Sequence, residues 1–377
     1  MNNNICLNMI VKNESPIIIK TLNNIFKYLL LNTSITYYVI CDTGSTDNTI
    51  QVITSFFKKK GIAGKIIEEP FVDFGYNRTL ALNYCKNETN IDYVFIFDAD
   101  DYIIGDLVLP TILTKDAYWF KFGKDFTYIR PLLVSNKLQW EFKGVLHEYL
   151  NCTNKNIKKS IIKGDYYIES GRTGNRNKNP DKYLSDALIL EHAYIKEPSE
   201  LKNRYAFYCA QSYKDYGNIL KAIEYYTIVL NLDNWVQEKY YSAFMLGKLY
   251  YTLKNYKLAS KFFLKTTQYD STRIEGIVLA CKLYRMSKNY NLVHKLYLLF
   301  KNYSYPDLSK LFVITDLYNH QLEFEYSLVA YHLLHFDEGY LNIKKILKEL
   351  IAPIKIILIS IINLQYYKDQ FLNDHSW

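Results

Sequence analysis

The stretch Tyr93-Val94-Phe95-Ile96-Phe97-Asp98-Ala99-Asp100-Asp101 decides the reading of the N-terminal half. Five apolar residues of β-branched and aromatic type end abruptly in three acids over four positions. An apolar run without polar alternation suits a strand covered on both faces, as in a mostly parallel sheet. Carboxylates clustered at the end of such a strand repel one another by up to about a few kcal/mol unless a cation offsets them. Hard oxygen donors of this kind suit Mg²⁺ or Mn²⁺, with phosphate oxygens completing the shell.

Upstream, residues 5–11, 37–41 and 66–67 are similar compact β-rich runs, and residues 15–31 and 48–60 between them have helical spacing. Strand and helix in alternation predict an α/β domain with a mostly parallel sheet. Ligands of such sheets bind outside the carboxyl ends of the strands, so the residues following each strand are the candidates. After the first strand stand Lys12-Asn13-Glu14, and after the second Asp42-Thr43-Gly44-Ser45-Thr46-Asp47-Asn48-Thr49. Gly44 permits a tight turn, and Ser45, Thr46 or Asp47 can cap the next helix. Asp42 is placed to accept from a ribose hydroxyl or a base, although the segment also reads as a plain strand–turn–helix junction. Further on, His147-Glu148 sets an imidazole beside a carboxylate, either as structural groups or as a metal ligand and a general base. The Gly-rich, basic segment 170–178 reads equally as a diphosphate-holding loop or a solvated linker.

From about residue 180 the strand signal gives way to a helical repeat. Lys254-Asn255-Tyr256-Lys257-Leu258 is matched 34 residues later by Lys288-Asn289-Tyr290-Asn291-Leu292, and Leu249-Tyr250, Leu283-Tyr284 and Leu317-Tyr318 keep the same interval. A 34-residue period of paired helices resembles tetratricopeptide repeats, which supply an interaction surface or scaffold. The boundaries expected are 1–180 for the α/β domain and 181–377 for the all-α domain. The apolar stretch 351–367 carries Pro353 and Lys355 and falls short of the roughly 20 clean residues of a membrane span, so it is expected to be a buried helix.

The 377 residues suffice for two domains. A hydrophobic fraction of 49% with 22% charge excludes a disordered or collagen-like chain. The excess of Tyr, Asn, Ile and Lys follows A/T-rich codons. The net charge of +8 is spread along the chain with no nucleic-acid motif, so nucleic acid is not expected as a partner. Six scattered cysteines without a CxxC pair exclude cysteine metal or redox motifs. The polar first residues lack the features of a signal peptide, and a cytoplasmic location is expected.

The ordered set Lys12-Asn13-Glu14, Asp42-Thr43-Gly44-Ser45-Thr46-Asp47, Asp98-Ala99-Asp100-Asp101 and Gly144-Val145-Leu146-His147-Glu148 resembles glycosyltransferase family 2. More narrowly, it resembles the bacterial and giant-virus members in which helical repeats follow a GT-A catalytic domain. The motifs span about residues 5–180. The resemblance implies a Rossmann-like GT-A fold and a metal-dependent, inverting transfer from a nucleoside-diphosphate sugar, with a UDP-sugar favoured. It implies Mn²⁺ or Mg²⁺ and a glycan, peptide or protein acceptor held by the repeats, which also offer a surface for self-association. Residue by residue, it implies that Glu14 and Asp42 hold the nucleoside and that Asp98 lies near ribose and metal. Asp100 is then the principal metal ligand, and His147 lies near metal and diphosphate. Arg172 or Arg176 is expected to close over the diphosphate. The chain departs from the family pattern twice. The usual Ala-Arg-Asn appears as Tyr76-Asn77-Arg78, which leaves Arg78 a donor-binding candidate without a set role. The acidic base has no clear counterpart, and Glu148 and Asp101 are the substitutes. The rival readings are a non-catalytic repeat scaffold with a degenerate GT-A domain, and a nucleotidyltransferase.

Overall fold

The computed structural model describes residues 3–29, 34–88, 90–171, 173–197, 201–307, 309–349 and 351–372. The chain forms two compact units, Met1–Lys124 with Tyr128–Asn218, and Asp125–Thr127 with Ile219–Trp377.

In the first unit β1 (Asn4–Val11), α1 (Ile18–Leu29), β2 (Ser34–Asp42), α2 (Thr49–Lys60), β3 (Ala63–Glu68), α3 (Phe74–Lys86) and β4 (Tyr93–Ile96) alternate as the sequence predicts. β1 pairs in parallel with β2 and β4, and β2 with β3. β5 (Tyr102–Val108), β6 (Ala117–Phe122), β7 (Phe126–Ser135), β8 (Trp140–Lys143), β9 (Tyr149–Cys152), β10 (Lys159–Ile161) and β11 (Lys163–Glu169) follow. The sheet order is β3-β2-β1-β4-β7-β6-β11-β5, with β7 antiparallel to β4 and β6, while β8 and β9 form a separate ribbon.

β1 shows why its apolar run lacks alternation. Ile5, Leu7 and Met9 pack on one face with Leu22, Ile25 and Phe26 of α1. Cys6, between them, packs on the other face with Leu82 and Cys85 of α3. Each such fully buried side chain contributes roughly 1.5–3 kcal/mol relative to exposure. The helical face of α1, Leu22, Ile25, Phe26 and Leu29, follows the i, i+3, i+4, i+7 rule.

The first unit continues beyond the expected boundary at 180. It includes α4 (Lys182–Lys196) and α5 (Leu201–Tyr216), and the division falls after Asn218. α5 is tied to the β8–β9 connection: Val145 N–H donates to Tyr205 Oη at 3.2 Å, and Arg204 Nε–H to the His147 carbonyl at 2.9 Å.

The second unit contains α6 (Ile219–Asn231), α7 (Val236–Thr252), α8 (Tyr256–Tyr269), α9 (Glu275–Met286) and α10 (Tyr290–Phe300). These are followed by β12 (Val313–Ile314), α11 (Leu322–Ala330), α12 (Phe336–Glu349) and α13 (Ile354–Leu372). The 34-residue period appears as identical turns: Lys254 and Lys288 are both left-handed, at φ 58°. Asn255 N–H then reaches Tyr250 O at 2.9 Å, and Asn289 N–H reaches Tyr284 O at 2.8 Å. At Leu317-Tyr318 the period is not renewed as such a turn; Leu317–Gln321 is a π-helical turn. The expectation of a buried terminal helix is corrected. α13 packs against α11, α12 and the Tyr331 ring, which buries Ser360 and Tyr367 but leaves Ile354, Leu358, Ile361, Ile362 and Tyr366 exposed. Among the described residues no helix is long and apolar enough to cross a membrane.

Candidate active site

The loops after β1 and β2 are stitched into one surface by short polar side chains. Asn13, itself left-handed at φ 56°, accepts from Thr46 N–H at 2.7 Å, while its own N–H donates to Ser45 Oγ at 2.9 Å. Glu14 N–H donates to Thr49 Oγ1 at 2.8 Å, and Ser15 Oγ–H to Asp47 Oδ2 at 2.7 Å. Asp47 also accepts from Thr49 N–H at 3.0 Å, which satisfies an orphan amide at the start of α2. Despite a burial penalty, the bonds from Thr49 and Ser15 hold the Asp47 carboxyl below its ordinary range.

Asp42 ends β2 with only 1% of its surface exposed. Its Oδ2 accepts from Gly44 N–H at 3.1 Å and Ser45 N–H at 2.8 Å. Its Oδ1 is buried without a hydrogen-bond partner. Buried acceptors are nearly always satisfied, so this oxygen is suited to an N–H or O–H brought by a ligand.

The acidic turn after β4 is built around two arginines. Arg78 of α3, nearly buried, places Nη2 2.5 Å from Asp98 Oδ1 and Nε 2.6 Å from Glu148 Oε1. Arg130 of β7 approaches the other oxygen, with Nη1 3.6 Å from Asp98 Oδ2. Burial penalises the Asp98 charge, but Arg78 and then Arg130 outweigh it and lower its pKa. Burial, followed by the Asp98 charge, raises Asp100 above its ordinary value. The same two causes push Asp101 up to about 8.

Two glycines of segment 170–178 dock onto this turn, while Ser170, Thr173, Arg176 and Lys178 are exposed. Gly171 N–H donates to Asp101 Oδ1 and Gly174 N–H to Asp100 Oδ2, each at 3.2 Å. Both glycines are required by contact. A Cβ on Gly171 would stand 1.7 Å from the Asp100 carbonyl, and one on Gly174 would stand 2.7 Å from Asp100 Oδ2 and 3.3 Å from Glu14 Oε1. Glu14 and Asp100 thus face the same glycine.

Residues 6–118 match the family model described as glycosyl transferase family 2. The first unit carries a family 2 glycosyltransferase domain. Among solved structures, the chain is similar to S. aureus TarS 1-349 in complex with UDP-GlcNAc, at 16% identity and a TM-score of 0.34, covering 72% of this chain and 92% of that one. It is also similar to a tetratricopeptide repeat protein from Parabacteroides merdae, at 14% identity and a TM-score of 0.37, covering 50% of this chain and 68% of that one. A third is MamA, at 12% identity and a TM-score of 0.33, covering 47% of this chain and 94% of that one. No curated protein matches the chain.

Within this glycosyltransferase domain the sequence-derived site residues separate into groups. Asp98, Arg78 and Glu148 come together, so Glu148, expected as a base, is the partner of Arg78 with a side chain 8% exposed. His147 and Glu148, neighbours in sequence, face different partners. The backbone turns through Gly144 at φ 113° and His147 at φ 53°, and the imidazole stacks on Tyr208 of α5 with centroids 4.1 Å apart. His147 is exposed to solvent; desolvation by the surrounding protein, then the charges of Arg204, Arg176, Lys182 and Arg130, lowers its pKa. Among the described residues it does not converge with Asp98 and Asp100 into a three-ligand cluster. Arg172 lies outside the described residues. Arg176 is paired with Asp186 and lies over the Phe74 ring at 4.7 Å.

A divalent cation fits the acidic turn through its hard oxygen donors. Asp98 is engaged by arginines on both oxygens, whereas burial and then the Asp98 charge raise Asp100 and Asp101. Sequence reasoning missed Arg130, Arg204, Tyr205 and Tyr208. A signal existed for Arg130: it is the single charge in the strand Phe126–Ser135 and precedes Pro131, which faces a register shift between Tyr118 and Trp119.

The Asp101 shift has a measurable sign. An unfolded carboxyl titrates near its ordinary value of about 3.9, so between there and about 8 the folded state keeps a proton the unfolded state has lost. This stability is complete below the unfolded value and is lost as pH rises through 8. Melting temperatures in EDTA should therefore fall from pH 6 to 9 more steeply for the parent than for Asp101→Asn, which still accepts from Gly171. Equal slopes would remove Asp101 from the account.

Proposed function

We propose that the protein is a metal-dependent, inverting glycosyltransferase that moves a sugar from a nucleoside-diphosphate sugar, first a UDP-sugar, to a glycan, peptide or protein acceptor. The observation that carries this reading is the acidic turn Asp98-Ala99-Asp100-Asp101 at a strand end inside the matched family 2 region, onto which the Gly171 and Gly174 N–H groups converge. In this reading Asp42 Oδ1 accepts from the donor's base, and Glu14 lines the same cleft. Asp100 holds Mn²⁺ or Mg²⁺, which supplies Lewis-acid stabilisation of the departing diphosphate. Arg78 and Arg130 fix Asp98.

With Glu148 committed to Arg78, the base role falls to Asp101. Asp101 is the carboxylate next to Asp100 in the same turn, held by the Gly171 N–H at 3.2 Å. It would take the acceptor hydroxyl's proton as that oxygen attacks the sugar's C1 opposite the leaving diphosphate. The helical repeats present the acceptor.

The test is nucleoside diphosphate release from a panel of UDP- and GDP-sugars with Mn²⁺, against an EDTA control, with and without candidate acceptors. Metal-dependent release from one donor is expected and would name the sugar. If no donor is turned over, and calorimetry detects no donor binding, the scaffold reading replaces this one. Pyrophosphate in place of nucleoside diphosphate would make the protein a nucleotidyltransferase.

A further inference from the structure

The helical-repeat unit holds a second cluster of ligating side chains, independent of the acidic turn. His294 on α10, with His335 and Glu338 at the start of α12, each bring one ligand atom within 4.8 Å of the other two. Among the described residues it is the one such group of His, Cys, Asp or Glu. Tyr326 of α11 stands at its centre. Its Oη is 2.8 Å from His294 Nδ1 and 2.9 Å from His335 Nδ1, and its O–H donates to Glu338 Oε2 at 3.1 Å. The phenol is fully buried and stacks on Tyr297 at 3.8 Å, whereas the three ligating residues are half-buried. A fixed group therefore orients three groups that reach solvent.

The helix-ending turns show how His335 arrives there. Gly217, Lys254 and Lys288 are left-handed, and each is followed by an asparagine whose N–H bonds the carbonyl five residues back. The turn before α12 has the same form, with Leu334 at φ 60° and His335 N–H donating to Ala330 O at 2.9 Å. An imidazole stands where the earlier turns have asparagine. Glu338 follows three residues on, which puts both side chains on one side of the helix start.

We propose that His294, His335 and Glu338 bind a d-block divalent cation, Zn²⁺ in the first instance. Two imidazoles and one carboxylate are a donor set that zinc accepts, and the fourth position is open to water. A tetrahedral zinc centre spaces its donors about 3.4 Å apart. The ligand atoms, all within 4.8 Å of one another, would close to that spacing around the ion. Tyr326 supplies the hydrogen bonds that hold the ligands in place. One cation already competes: Lys301 Nζ lies 3.2 Å from Glu338 Oε1. Removing it should strengthen the site.

The experiment titrates full-length protein, stripped by chelator, with Zn²⁺ by calorimetry and with Co²⁺ by visible absorption. It is run in an Asp100→Asn background so that the acidic turn does not contribute. One Zn²⁺ per chain and the intense visible bands of tetrahedral Co²⁺ are expected. Affinity should fall roughly 10–100-fold in His335→Ala and Glu338→Gln, and rise severalfold in Lys301→Met. Zinc affinity unchanged by His335→Ala and Glu338→Gln would overturn the site. So would a pale, octahedral Co²⁺ spectrum. Should those two variants fail to fold by circular dichroism, Lys301→Met decides, and unchanged affinity there overturns the proposal.

Discussion

Asp100→Asn should reduce metal-dependent turnover by roughly a hundredfold or more and leave the metal-free protein at least as stable as its parent. The first half follows from the role given to Asp100. A cation facing a departing diphosphate supplies several kcal/mol, and each about 1.4 kcal/mol is tenfold in rate. The second half follows from the site's own electrostatics. Burial and the Asp98 charge raise Asp100, so its ionised form is strained when no cation is present. Asparagine removes that charge and keeps an oxygen for the Gly174 N–H. Initial rates with saturating donor and Mn²⁺, beside melting curves in EDTA, give both readings. Full turnover in the variant would end the metal assignment. Lost turnover with a melting temperature several degrees lower would make Asp100 a structural residue instead.

The parallel half of the sheet was legible because its strands are uninterrupted apolar runs, and only strands covered on both faces are written that way. The antiparallel half was not. Phe126–Ser135 carries Arg130 and Pro131 in its middle, which read as a break until the facing strand shows the register shift that accommodates them. Local pattern also says nothing about which surface a helix covers. α4 and α5 have the amphipathic spacing of the repeats but belong to the unit of the sheet. The apolar composition of α13 gave its character but not which of its side chains are covered, and five large apolar ones are left exposed. Of the site, the strand-end acids were legible because β4 ends at them. Their pairing was not, since it joins α3, the turn after β4 and the β8–β9 connection. His147-Glu148 illustrates the limit: a left-handed backbone residue sends adjacent side chains to unrelated partners.

Arg78→Ala should give the largest stability loss of any single change in the glycosyltransferase domain, about 3–5 kcal/mol, the cost of breaking a buried ion pair from one side. Arg78 and Glu148 have side chains 8% exposed and Asp98 25%, so water cannot fully replace the guanidinium. The variant would leave Glu148 without its cation and Asp98 with only Arg130 at 3.6 Å. Arg78→Lys should recover part of the loss. One ammonium cannot reproduce a planar fork that meets carboxylates from two directions. The pH dependence separates this from a packing defect. Arg78 and Arg130 now hold Asp98 below its ordinary pKa, so the stabilisation is present above the unfolded value and fades as pH falls through the folded one. Without Arg78 the Asp98 pKa rises, and acid neutralises the orphaned carboxylate at less cost. The gap in melting temperature between parent and Arg78→Ala should therefore narrow from pH 7 to pH 5. A gap independent of pH would assign the loss to the contact of Arg78 with the Phe142 ring, 5.6 Å away, and not to charge.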